Sequence, residues 1–224
     1  LPNDRGSQVC GQCHANFDDS RSGKRLQEWI ENGFEYRPGD DLAETRKLLA
    51  DGADAQYWPD GVIRVSGREY NGLVATPCHQ AGELSCFSCH VLHRPAGDTR
   101  SAEEWAEDQL KEGMRGDHAC LQCHESYAED VSAHTHHAEG SAGSGCYDCH
   151  MPYTSYGLMK SIRNHHLTNP DAQKTLATGR PNACNLCHLD RSIRWTAEHL
   201  DEWYGIAPPT SAELEGAEVV PGVS

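Results

Sequence analysis

Apolar residues recur at helical spacing in only a few short stretches of the chain. The clearest stretch predicts a helix that Asp190 caps and that ends at Gly205. Its apolar positions lie three or four residues apart and form a stripe that should pack on protein or on the edge of a cofactor. They are Ile193, Ala197, Leu200, Trp203 and Tyr204.

Capping signals predict a second helix in the middle of the chain. Ser101 and Glu104 have the spacing of a capping box. The helix that they begin should carry Trp105 and Leu110 and end at Gly113.

A third helix is predicted after Asp40 or Asp41, either of which is a suitable cap. It should run through Leu48 and Leu49 and end at Gly52. Residues 57–65 are instead typical of a small hairpin, because an Asp-Gly turn precedes alternating apolar residues.

The chain has little apolar material for its length. Of its 224 residues 37% are hydrophobic, and three Phe and three Met stand against 21 Gly and 11 Pro. Side-chain burial alone should not offset the conformational entropy of such a chain. We therefore predict a mostly irregular fold with short α-helices and little or no β structure, in which a cofactor supplies the core.

The charge of the chain limits its partners. A formal net charge of -15 argues against nucleic acid and against docking on anionic lipid, and it suits cationic partners.

No apolar run approaches the length that spans a bilayer. The first residue is Leu, which predicts a processed chain whose signal peptide has been removed.

Five copies of Cys-x-x-Cys-His account for ten of the eleven cysteines, and this is the attachment signal for c-type haem. Two thiols three positions apart reach the two vinyl groups of one porphyrin, and the adjacent His donates a nitrogen to iron. The chain is thus predicted to be a haem-cored multihaem cytochrome c with five haem c groups. The motif residues are Cys10, Cys13 and His14; Cys86, Cys89 and His90; Cys120, Cys123 and His124; Cys146, Cys149 and His150; Cys184, Cys187 and His188.

Two other interpretations of Cys-x-x-Cys were weighed against haem attachment. The pattern is also half of a structural zinc site, and it is the redox pair of thioredoxin-like proteins. Neither explains why His follows the second cysteine in all five copies.

The second axial ligands should come from the nine histidines outside the motifs. Methionine is scarce and only Met151 directly follows a motif, so bis-His ligation is predicted at four or more haems. In the cluster 134–137 at least one His should be a ligand, and one of His165 and His166 is a further candidate, while His199 fits a surface residue. The predicted distal ligands are His93, His134, His137, His165, His79 and His118.

Uneven spacing of the motifs predicts three segments. The first cysteines stand at positions 10, 86, 120, 146 and 184, so the first haem is set apart and the other four are crowded. We predict a mono-haem segment over 1–67, a tetrahaem segment over 68–205 and an extended tail over 206–224, with the tail a candidate for a subunit interface.

Cys78 is the cysteine that belongs to no motif. A reactive thiol, an intermolecular bridge and an inert buried thiol all fit the sequence, and the buried thiol is favoured.

Five segments of the chain carry a resemblance to a known family. They are 37–42 (Arg-Pro-Gly-Asp-Asp-Leu), 58–61 (Trp-Pro-Asp-Gly), 65–72 (Val-Ser-Gly-Arg-Glu-Tyr-Asn-Gly), 149–152 (Cys-His-Met-Pro) and 178–190 (Thr-Gly-Arg-Pro-Asn-Ala-Cys-Asn-Leu-Cys-His-Leu-Asp). With them the chain resembles bacterial multihaem cytochromes of the cytochrome c554-like, doubled-motif group, whose members are often fused to HEAT or TPR repeats. The similarity covers about residues 10–204. It implies an exported electron carrier with bis-His haems, and it implies His93, the 134–137 cluster and His165 as ligands.

Electron transfer is the predicted function, with the protein in the periplasm or at the cell surface. It would pass electrons between redox partner proteins, as a homo-oligomer, as a head-to-tail polymer or as a soluble shuttle. A multihaem enzyme of the nitrite or hydroxylamine type is the alternative, and it needs one haem with an open axial position. The pentahaem nitrite reductases mark that haem with Lys in place of the motif His, whereas all five motifs here end in His.

Overall fold

Short helices joined by loops make up most of the computed structural model, which describes residues 2–18, 22–33, 35–49, 55–157 and 159–218. Within those residues the only sheet has two strands. The predicted fold class, short helices with little β structure, is confirmed. The chain divides into two units, the first formed by Leu1–Ala50 and Gly67–Cys146 and the second by Asp51–Ser66 and Tyr147–Ser224.

The described residues of the first unit form nine α-helices and the start of a tenth, together with two short 3-10 turns, Glu125–Tyr127 and Ala142–Ser144. Most of the helices are one turn long. They are α1 (Asn3–Gly11), α2 (Ser22–Asn32), α3 (Leu42–Thr45), α4 (Glu69–Ala75), α5 (Pro77–Gln80), α6 (Cys86–Cys89), α7 (Ala102–Ala106), α8 (His118–Leu121), α9 (Val131–Thr135) and α10 (Cys146–His150).

The described core of the first unit is a small cluster around α1 and α4. Its buried members are Ala15, Phe17, Tyr36, Leu42 and Tyr70. Phe17 also forms an isolated antiparallel bridge with Leu48.

The helix predicted after Asp40 or Asp41 is much shorter than expected. Asp41 caps it by accepting a hydrogen bond from the N–H of Ala43, and α3 ends at Thr45. Leu48 lies beyond the helix because its backbone pairs with Phe17. The predicted end at Gly52 lies outside the described residues.

The capping box of α7 is confirmed, but the helix ends earlier than predicted. Glu104 N–H donates to Ser101 Oγ at 3.1 Å, and Ser101 N–H donates to the Glu104 carboxylate at 2.7 Å. Asp108 and Gln109 then adopt the left-handed region, with φ of 63° and 52°, which a right-handed helix cannot contain. Leu110 pairs instead with His90.

The described residues of the second unit form a two-stranded hairpin and four helices. The strands are β1 (Ser155–Gly157) and β2 (Lys160–Ile162), paired antiparallel, and the helices are α11 (Ala172–Thr178), α12 (Ala183–Cys187), α13 (Ile193–Tyr204) and α14 (Ser211–Glu218). One small core cluster consists of Ala172, Ile193, Ala197 and Leu214. Further buried apolar residues are Tyr57, Val62, Ile63, Ala183 and Leu200.

The predicted hairpin over 57–65 is present as an isolated bridge between Tyr57 and Ile63. Trp58 N–H donates to the Val62 carbonyl at 2.8 Å, and Gly61 occupies the turn with a φ of 79°. That positive φ is the conformation for which the Asp-Gly turn selects glycine.

Helix α13 begins two residues later than predicted. Ser192 is its cap and accepts a hydrogen bond from the N–H of Trp195, so the predicted Asp190 cap is wrong. Asp190 is exposed and lies 3.4 Å from the guanidinium of Arg191. The predicted end at Gly205 is confirmed, with a left-handed φ of 63°.

The region after α13 is not an extended tail throughout. Residues 211–218 form α14, and Leu214 is buried at 5% exposure in the core of the second unit. Residues 219–224 lie outside the described residues. A role of this region at a subunit interface stays a prediction, as does the grouping of the haems into segments 1–67 and 68–205. In the described part of the chain, no helix is both long and apolar enough to cross a membrane.

Candidate haem-binding sites

Each Cys-x-x-Cys-His motif forms about one turn of helix. In four motifs the His N–H donates to the carbonyl of the first cysteine, for example His14 to Cys10 and His90 to Cys86, both at 2.9 Å. The fourth motif coincides with α10. One turn places residues i, i+3 and i+4 on the same face, so two thiols and an imidazole stand together. This is the donor set that covalent haem attachment requires.

The surroundings of the motifs fit a large apolar group. All eleven cysteines are thiols rather than disulfides, and each is at least partly exposed. Large apolar side chains are exposed within three residues of four motifs, and Leu189, next to His188, is 79% exposed. A porphyrin is the kind of group that would cover such side chains. They are Leu92, Tyr127, Tyr153, Leu186 and Leu189.

Three of the motif histidines have their Nδ1 atom held by an acceptor. His90 Nδ1 lies 2.8 Å from the Asp108 carbonyl, and His150 Nδ1 lies 3.2 Å from the Thr168 carbonyl. His14 Nδ1 lies 2.9 Å from a carboxylate oxygen of Glu69, and this hydrogen bond raises the pKa of His14. An acceptor fixes the proton on Nδ1 and leaves the Nε2 lone pair for a metal.

Three of the predicted distal ligands show the same arrangement. His79 Nδ1 donates to the Leu84 carbonyl at 2.7 Å, and His137 Nδ1 donates to the Thr135 carbonyl at 2.6 Å. His165 Nδ1 donates to the Arg163 carbonyl at 3.1 Å. Gly143 lies against the His137 ring so closely that a side chain there would overlap the imidazole.

The other predicted distal ligands occupy varied positions. His134 lies on α9 with its ring centroid 4.5 Å from that of Tyr127. His93 is exposed in the loop after α6, and His118 is exposed at the start of α8. Their assignment as ligands stays a prediction.

Two histidines outside the set of predicted distal ligands, His166 and His199, are partly or largely enclosed by the protein. His166 Nδ1 is buried and has no hydrogen-bond partner, and burial lowers the pKa of this side chain. His199 is half-buried between Trp195 and Trp203, with ring centroids 4.4 Å and 4.7 Å away. The expectation of a surface position for His199 is therefore wrong, because its helix turns it toward the two indoles.

Motifs 1 and 2 are joined by a contact that the sequence analysis missed. The buried Ser7 hydroxyl accepts a hydrogen bond from the N–H of Cys86 at 3.0 Å, and α1 packs against α6. Hydrogen bonding between the two thiols lowers the pKa of Cys10 and raises that of Cys86. The first cysteines of the two motifs therefore lie side by side.

Motifs 3 and 4 repeat this arrangement. Asp117 accepts a hydrogen bond from the N–H of Cys146 at 2.8 Å. Burial raises the pKa of Cys146 to about 12, and the neighbouring Cys120 and Asp117 act in the same direction. Ser7 and Asp117 each precede the first cysteine of a motif by three residues. That shared position is a sequence signal for the pairing.

Cysteines of the remaining consecutive motifs influence each other electrostatically. Burial raises the pKa of Cys120, hydrogen bonding with Cys146 lowers it, and the charge of Cys89 raises it again. In the second unit, burial and then the charge of Cys149 raise the pKa of Cys184 to about 11. Consecutive motifs therefore have sulfur atoms within electrostatic reach of each other.

Comparisons with known proteins agree with the fold and the motifs. The sequence profile of the cytochrome c552 family matches residues 132–202. The crystal structure of the outer cell wall cytochrome OcwA superposes with a TM-score of 0.52 at 18% sequence identity, over 89% of this chain and 52% of that one. The chain thus spans about half the length of OcwA. A search of curated protein sequences gives no match.

The fold is that of a multihaem c-type cytochrome. The residues present at each motif are those that hold covalently bound haem c: two thiols for the thioether bonds and one imidazole for the iron.

Proposed function

We propose that the chain binds five haem c groups and conducts electrons between redox partner proteins. The observation that carries this proposal is that cysteine sulfurs of consecutive motifs lie within electrostatic reach of each other, with hydrogen bonding in two of the four pairs. A haem bound at one motif would stand next to the haem of the following motif, and electron transfer between cofactors requires such proximity because its rate falls steeply with distance. When bound, each haem supplies an iron that takes up and releases one electron.

Each side chain of a motif would make a different bond to the haem. The two cysteines would form the covalent bonds, and the motif His would donate its Nε2. A second His would be the other iron ligand, and His79, His137 and His165 are best oriented for this role because a carbonyl already holds Nδ1 of each. His93, His134 and His118 complete the set proposed for the distal side.

We further propose that the protein acts outside the cytoplasm, in the periplasm or at the cell surface. The similarity to a cytochrome named for the outer cell wall supports this location. A formal charge of -15 would favour redox partners with a positively charged docking face.

The haem-loaded protein tests the proposal directly. We expect an intact mass with five haems and low-spin spectra at four or more of them, because imidazole is available on both sides of the iron. Optical and electron paramagnetic resonance spectra of the purified holoprotein measure this. A dominant high-spin signal that responds to nitrite or hydroxylamine would contradict the conduit and favour the enzyme.

Adjacent histidines allow a matched test of one distal ligand. Replacing His165 by Ala should convert one of the five haems to a high-spin form that binds carbon monoxide. Replacing His166 by Ala should leave all haems low-spin, because its Nδ1 lacks the acceptor that orients a ligand. The optical spectra of the two variants show which of the two histidines is a ligand. A high-spin haem in the His166 variant alone would reverse the assignment.

Assembly into a homo-oligomer or a head-to-tail filament also stays a proposal. A filament needs a heterologous contact that does not close on itself. The region after α13 was the expected source of that contact, but Leu214 already packs in its own unit. Deleting residues 206–224 would therefore disturb the fold of the second unit as well as any polymer.

A further inference from the structure

The segment that follows motif 1 is clamped by α4. Tyr70 N–H donates to the His14 carbonyl at 2.9 Å. The side chain of Asn71, which is buried, accepts from the N–H of Asn16 at 2.7 Å and donates to its carbonyl at 3.2 Å. These bonds fix the backbone around His14 relative to α4.

The same helix presents a carboxylate to the imidazole of His14. One Glu69 oxygen accepts from His14 Nδ1 at 2.9 Å, and the other accepts from the N–H of Gly67 at 2.7 Å. Both oxygens are therefore held in place, and the Glu69 side chain is only 20% exposed. A partly buried, doubly bonded carboxylate is screened less by solvent than one on the surface.

The acceptor at motif 1 differs in charge from those at two other motifs. His90 and His150 each donate to a backbone carbonyl, which is neutral. His14 donates to an anion. An anionic acceptor draws the Nδ1 proton toward itself, which increases electron donation from Nε2 and favours the more positively charged, oxidised state of a bound metal.

We propose that Glu69 is a positioning residue that lowers the reduction potential of the haem at motif 1 below that of the haems at His90 and His150. The inference rests on the proposed function, since it requires haem c at Cys10 and Cys13. Motif 1 is the first in the succession of motifs, and its described neighbour is motif 2. The haem bound there would therefore be a strongly reducing end of that succession.

Potentiometric titration of the holoprotein tests the role of Glu69. The Glu69→Gln variant keeps an oxygen acceptor of nearly the same shape and removes the charge. We expect one of five one-electron components to shift to a more positive potential by at least a tenfold change in its equilibrium constant, about 59 mV. The other four components should keep their potentials. Glu44→Gln, which removes an exposed carboxylate of α3 in the same unit, should change none.

A charge-retaining variant separates charge from shape. Glu69→Asp should keep the affected component within a factor of ten of the wild-type equilibrium constant. If Glu69→Gln fails to take up haem, the potential of the affected component in Glu69→Asp tests the proposal by itself. Five unchanged components in Glu69→Gln, or an equal shift in Glu69→Asp, would overturn the proposal. The intact mass read on each sample shows whether motif 1 carries haem at all, which is the separate question of the proposed function.

Discussion

Replacing both Cys184 and Cys187 by Ala is expected to lower the yield of folded, soluble protein by roughly tenfold or more. The buried large apolar side chains described in the second unit are few: Tyr57, Val62, Ile63, Ile193, Leu200 and Leu214. Each contributes about 1.5–3 kcal/mol on burial. Ordering a single residue costs about 1–2 kcal/mol of chain entropy, so these side chains cannot hold the unit together. The haem proposed at motif 5 would supply the remaining contacts.

The matched control for this double variant is Cys78→Ala. Cys78 belongs to no motif and its thiol is half-buried, so its removal should leave both yield and haem content unchanged. Soluble protein, haem content and far-ultraviolet circular dichroism measure the outcome. A well-folded product with four haems at the wild-type yield would show that protein contacts alone sustain the second unit.

The Asn164→Ala substitution should destabilise the holoprotein by about 2–4 kcal/mol. Asn164 is 1% exposed. Its side-chain amide donates to the Ile63 carbonyl at 2.8 Å, and its oxygen accepts from the N–H of His166 at 2.9 Å. Alanine would remove both bonds and leave the buried Ile63 carbonyl with only the longer bond from the Ser155 hydroxyl, at 3.5 Å. Because His165 lies between these contacts, the loss should also loosen the proposed distal ligand.

Denaturant unfolding of the two asparagine variants measures this effect. Asn169 is exposed five residues further along the chain, and Asn169→Ala should change the free energy of unfolding by no more than about 0.5 kcal/mol. An equal free energy of unfolding in the two variants would mean that Asn164 does not stabilise the contact between Ile63 and the segment of His165.

Local signals in the sequence predicted the parts of the fold that depend on neighbouring residues. The capping box of Ser101 and Glu104 and the end of α13 at Gly205 are where the pattern places them. The start of α13 was misplaced because Asp190 and Ser192 are equally good caps by residue type. Only the bond from Trp195 N–H to the Ser192 hydroxyl distinguishes them.

Contacts between distant residues could not be predicted in this way. Glu69 and His14 are 55 residues apart, Ser7 and Cys86 are 79 apart, and Asn164 and Ile63 are 101 apart. The conformational propensities of neighbouring residues do not predict contacts between residues that are so far apart in the chain. The motifs therefore revealed which residues can bind haem, whereas the anchoring of each imidazole required the folded chain.

The contact between the thiols of Cys10 and Cys86 has a consequence for the biogenesis of the protein. If the polypeptide folded before its cofactors were attached, these thiols from different motifs would meet. In an oxidising compartment, where c-type haem is attached, they would be able to close into a disulfide and block two attachment sites at once. For an exported chain, as proposed above, each motif should therefore be modified while the polypeptide is still unfolded.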